Sequence, residues 1–69
     1  MYYAILTCSE RRQCIVTIGA RTLEQAHQQA HEATPSHWPA LGCSLQIVQA
    51  SSRQQAIEAS PEARSWASV

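Results

Sequence analysis

The chain has 69 residues, among them five arginines, five glutamates and three cysteines, and neither lysine nor aspartate. A chain of that length holds one core and hides about 60% of the surface its unfolded form exposes, so one small domain of modest stability is expected over residues 1–69. Its net charge of zero excludes a globally basic binder of nucleic acid backbone and an acidic mimic of nucleic acid alike.

Residues 2–8, Tyr-Tyr-Ala-Ile-Leu-Thr-Cys, are too few, too aromatic and too branched for a helix, and their two apolar faces predict a central strand. The polar cluster Ser9, Glu10, Arg11 and Arg12 breaks the run. Residues 13–18 resume it with Cys14, Val16 and Ile18 on one face, so the pair reads as a hairpin with a loop of about four residues.

Thr22-Leu23-Glu24-Gln25 is a capping box: the threonine hydroxyl accepts from the N–H three residues on, and the glutamine side chain reaches back to the threonine N–H. In the helix that follows, Leu23, Ala26, Ala30 and Ala33 form one narrow apolar stripe. Pro35 ends it by Thr34. With two prolines and a glycine, residues 34–42 form a loop, and residues 43–49 alternate as a strand with Cys43, Leu45 and Ile47 on its buried face. A second capping box at Ser52-Arg53-Gln54-Gln55 and the pair Ser60-Pro61 predict short helical turns in the tail, with a fourth strand over residues 55–59 as the alternative.

Together these elements predict an α+β fold, a small antiparallel sheet of three or four strands with one main helix packed on one face, in the order β-β-α-β followed by a short helical C-terminal segment. With the first strand in the middle, the order is two-one-three. The stripe Leu23, Ala26, Ala30 and Ala33 is expected to meet Leu6, Val16, Ile18, Leu45 and Ile47. The opposite sheet face falls to the tail, to a second copy in a homodimer, or to a partner.

Cys8, Cys14 and Cys43 are odd in number and lack CxxC spacing, which reads as reduced thiols packed as small hydrophobes in a cytoplasm. The start of the chain has no charged leader or long apolar run, and no membrane segment is expected. His27 and His31 project from one helix face, but Gln28 stands where a zinc protease has its glutamate base and no further ligands are fixed, so neither metal nor cofactor is expected. No thiol sits at a helix start, and phosphate-loop and nucleophile-elbow motifs are absent, so no catalytic residue is assigned.

The aromatic residues point to an interface. Tyr2 and Tyr3 face opposite sides of the sheet, one in the core and the other on the uncovered face, and His37-Trp38 lies between Pro35 and Pro39. Aromatic groups on a stiff loop bury much area at little entropic cost. With the hairpin arginines, the expected partner-binding set is Arg11, Arg12, His37, Trp38 and Tyr3; the other reading has Trp38 and Trp66 folding back to plug the core.

The layout of a Tyr3-Ala4-Ile5 strand, a Thr22-Leu23-Glu24-Gln25-Ala26 helix start and a Leu45-Gln46-Ile47 strand resembles small phage-encoded anti-CRISPR proteins of type I systems. That resemblance implies a non-catalytic inhibitor or adaptor bound to a subunit of a crRNA-guided surveillance complex in the host cytoplasm. The helix here carries no lysine or arginine, so nucleic acid is not expected as sole partner. The alternative is a small metal- or nucleic-acid-binding regulator resting on His27, His31 and the Arg11-Arg12 turn.

Overall fold

The strand that is apolar on both faces takes the middle of the sheet. In the computed structural model, which describes residues 1–38 and 42–66, β1 (Tyr2–Cys8) pairs antiparallel with β2 (Gln13–Val16) on one side and with β3 (Cys43–Gln49) on the other. The sheet order is β2-β1-β3. Reciprocal bonds between Met1 and Ala50, of 2.9 and 3.1 Å, and the Ser9 N–H to Gly42 carbonyl bond of 3.1 Å set the ladder phase. Odd-numbered residues of β1 therefore bond to β3, and even-numbered ones bond to β2, as the 2.8 Å pair between Tyr2 and Ala20 confirms.

Each sheet face has its own cover. Ala4, Leu6 and Cys8 of β1, with Ile15, Cys43 and Ile47, lie under α1 (Leu23–Ala33), whose buried residues are Ala26 and Ala30. Two alanines let that helix sit close to the strands. Tyr3, Ile5, Cys14 and Val16 face the other way and are covered by α2 (Arg53–Glu58) and α3 (Pro61–Trp66), through buried Ala56 and Ala63 and the partly buried Ile57 and Trp66. The tail thus supplies the second cover. Residues 55–58 are helical, so the fourth-strand alternative is not realised.

Each of the three helices among the described residues starts on a hydroxyl. Thr22 Oγ1 accepts from the Gln25 N–H at 3.1 Å, Ser52 Oγ from the Gln55 N–H at 3.2 Å, and Ser60 Oγ from the Ala63 N–H at 3.3 Å. The glutamines of the two boxes reach one residue further back than expected: Gln25 Oε1 accepts from the Arg21 N–H and Gln55 Oε1 from the Ser51 N–H. Among the described residues, no helix is long and apolar enough to cross a membrane.

The contacts of β2 differ from the expected ones on two counts, and a bulge after Val16 is the first. Ile5 pairs with Val16, and Tyr2 with Ala20, so one extra residue enters the chain opposite Tyr3. At the break, the Thr17 N–H bonds to the Ala4 carbonyl, and the Ala4 N–H turns to Thr17 Oγ1 at 3.0 Å. Ile18 is expelled to 73% exposure instead of joining the core. Gly19 fits closely here: a Cβ would lie 3.2 Å from the buried Tyr3 ring and 3.0 Å from the Met1 thioether, so these side chains would have to give by a few tenths of an ångström. The facing of β2 itself is set by the four-residue turn, which pairs Cys8 with Gln13 and Leu6 with Ile15, so Cys14 and Val16 belong to the tail-covered face and Ile15 takes the place expected for Val16 under α1. Leu23, in the first turn of α1, is half-exposed, so the effective stripe is Ala26 and Ala30 flanked by Ala33.

Thr17→Val would leave the N–H of fully buried Ala4 without an acceptor and is expected to cost about 1–3 kcal/mol in urea denaturation, whereas Thr17→Ser keeps the oxygen and most of the stability. Equal losses in the two variants would contradict a role for that hydrogen bond.

Candidate protein-binding surface

The five residues expected to meet a partner do not form one surface. Trp38 is 8% exposed and packs with Ala4, Leu6, Cys8 and Ala30 under the loop that follows α1. It is a core residue because the alanine stripe of α1 leaves space over the Cys8 end of the sheet, and the indole fills it. A turn closed by the Trp38 N–H to Pro35 carbonyl bond aims the ring inward. Pro39, expected to stiffen the far side of that loop, lies outside the described residues. Tyr3 is 6% exposed on the opposite sheet face, covered by the tail and by Met1 over Gly19. Neither ring stands out as an exposed anchor.

Arg11, Arg12 and His37 are exposed. The two arginines occupy the β1–β2 turn, closed by the Arg12 N–H to Ser9 carbonyl bond, with Arg12 at φ 52°, a left-handed conformation in which a residue other than glycine is strained. A shallow depression shared by Gln13, Ile15, Pro35 and His37 brings His37 beside the start of β2, next to that turn. These three polar side chains therefore sit at one end of the sheet.

The more developed feature is a groove of about 390 Å³ between α1 and β3, walled by Leu6, His27, His31, Trp38, Cys43 and Leu45. Trp38 Nε1 is buried and finds no hydrogen-bond partner among the described residues. His27 and His31 are exposed on its helical side, and among the described residues no group of three or more metal-binding side chains is assembled. Leu45, expected in the core, is 45% exposed because its neighbour across the groove is the polar side of α1 and not an apolar ridge.

The outer edge of β3 borders this groove. Since Ser44, Gln46 and Val48 bond inward to β1, the backbone groups of Leu45, Ile47 and Gln49 point outward, and no described strand meets them. The strand is seven residues long and contains neither a charge nor a proline, the usual protections of a free edge. The other edge is shorter and guarded: β2 has four residues, ends in the bulge, and its Val16 carbonyl accepts from Arg53 Nε at 3.4 Å. The β3 edge was missed by reasoning from aromatic side chains. Its signal was present in the order two-one-three combined with an uncharged third strand.

Burial pushes the Cys14 thiol above its ordinary range, and partial burial, with the neighbouring Cys8, does the same for Cys43. Raised thiols are protonated and poorly nucleophilic at neutral pH, which is the opposite of what thiol catalysis needs.

Trp38→Ala is expected to cost about 3–5 kcal/mol of stability. Trp38→Phe forfeits no hydrogen bond to a described residue and is expected to cost only about 1–2 kcal/mol of packing. A melting temperature unchanged by Trp38→Ala would contradict the core placement.

No family model, no curated protein and no solved structure matches this chain, so any reading of its role rests on the groove and the strand edge themselves.

Proposed function

We propose that the chain is a non-catalytic protein-binding module that engages its partner along the outer edge of β3 and the adjoining α1–β3 groove. The observation that carries this reading is the long, uncharged, open edge of β3 running beside exposed Leu45. An extended segment added to such an edge gains backbone hydrogen bonds at Leu45, Ile47 and Gln49, and its alternate side chains enter the groove. The exposed Arg11 and Arg12 add a second contact for carboxylates at the same end of the sheet as Cys43. Trp38 forms part of the groove wall from within the core, whereas Tyr3 lies on the opposite sheet face.

The first assembly to test is a type I crRNA-guided surveillance complex, to which the β-β-α-β layout directs attention, with the chain acting as an inhibitor in the cytoplasm. The cysteines, none of them in a disulfide, suit that reducing compartment. A second copy of the chain is the competing occupant of the same edge, since a neutral strand does not repel its own kind.

Titrating the purified chain against a purified type I complex is expected to give co-elution and loss of target-DNA binding. Leu45→Arg should weaken that association about 30-fold or more, with the melting temperature nearly unchanged. Arg12→Gly relieves the left-handed strain at that position, so any loss of binding in that variant reports on the contact and not on folding. A stoichiometric metal in the purified protein, or DNA binding that falls steeply with salt, would overturn this reading in favour of a metal- or nucleic-acid-binding regulator.

A further inference from the structure

The three cysteines divide between the two sheet faces. Cys14 pairs with Thr7 and lies under the tail, whereas Cys8 and Cys43 are directly opposite each other across β1 and β3 on the α1 side. The ladder phase makes the Cys8–Cys43 position a non-hydrogen-bonded pair, since backbone bonds fall at the odd-numbered residues of β1. In such a pair the Cα atoms stand about 4.5 Å apart with their side chains converging, inside the span of about 4.4–6.8 Å that a disulfide bridges. The neighbouring Cys8 is among the causes that raise the Cys43 thiol. Cys8 is fully buried, Cys43 partly exposed on the wall of the groove.

We propose that Cys8 and Cys43 form a reversible oxidation site, closing to a cross-strand disulfide on reaction with a low-molecular-weight disulfide such as oxidised glutathione. Cys43 is the entry point because its sulfur alone is reachable. Its thiolate attacks one glutathione sulfur, breaking the glutathione S–S bond and releasing one glutathione thiol. The Cys8 sulfur, giving up its proton to solvent, then attacks Cys43 Sγ of the mixed disulfide, and the second glutathione leaves as a thiolate that takes up a proton. Two protein thiols have been oxidised by two electrons and one glutathione disulfide reduced to two thiols. The product ties β3 to the central strand at the mouth of the groove.

Burial and the neighbouring Cys8 hold the Cys43 thiol above its ordinary range. Glu10 in the β1–β2 turn acts in the same direction, and His27 and His31 of α1 line the same groove. The thiolate is therefore scarce at neutral pH, and closure accelerates about tenfold for each pH unit up to the Cys43 pKa.

Trypsin, cutting after Arg11, Arg12, Arg21 and Arg53, leaves Cys8, Cys14 and Cys43 in three separate peptides, residues 1–11, 13–21 and 22–53. After incubation of the native chain with oxidised glutathione, mass spectrometry should find 1–11 joined to 22–53 with the loss of two hydrogens, reversed by dithiothreitol, while Cys14 remains a thiol. Cys8→Ser should instead leave Cys43 as a stable mixed disulfide with glutathione, so that a folded variant lacking the second thiol reports the first step alone. Cys14 appearing in the cross-link as often as Cys8, or glutathione remaining on Cys43 of the unsubstituted chain without closure, would overturn the assignment.

Discussion

The fold depends on one constraint: β1 is apolar on both faces and hydrogen-bonded on both edges, so a 69-residue chain must cover two sheet faces with little material. It does so with small residues. Ala26 and Ala30 bring α1 onto one face, Ala56 and Ala63 bring α2 and α3 onto the other, and a tryptophan finishes each side. Hydroxyl caps at Thr22, Ser52 and Ser60 start the covering helices without long lead-in segments. Covering both faces leaves the sheet with edges as its remaining unprotected backbone, and the two edges are treated differently. The β2 side is bulged and tied by Arg53, whereas the β3 side is straight, neutral and open.

Much of this was legible in the sequence. The central position of residues 2–8 follows from their unbroken apolarity, and the helix start and the two tail helices follow from Thr22, Ser52 and Ser60. What escaped was the phase of β2 and the direction of the rings. A period-two pattern carries Ile18 into the core on paper, but Thr17 lends its hydroxyl to the Ala4 N–H and the bulge turns Ile18 out; no local propensity signals that exchange. Proline spacing indicates that the loop around Trp38 is stiff without saying which way the ring points. The missing volume of an alanine-only stripe is the signal that it points in.

For the candidate surface, Arg11, Arg12 and His37 fall on exposed turns, whereas Tyr3 is buried and Trp38 follows the other reading and fills the core, because large aromatics serve cores and interfaces with the same chemistry. In a chain this small the core has first claim on them. The groove and the β3 edge are tertiary products: α1 presents His27 and His31 where an apolar ridge would have sealed Leu45, and the strand order leaves no described strand beyond it. The Cys8–Cys43 pair is tertiary in the same sense, since only the register of β1 against β3 sets the two thiols opposite each other.

Amide hydrogen exchange of the isolated chain, read residue by residue along β3, tests the open edge most directly. The inward amides of Ser44, Gln46 and Val48 should exchange slowly, and the outward amides of Leu45, Ile47 and Gln49 should exchange at rates near those of an unstructured chain. Uniform protection of all six amides in the isolated chain would mean that the edge is already paired, and would contradict an interaction surface held open for a partner.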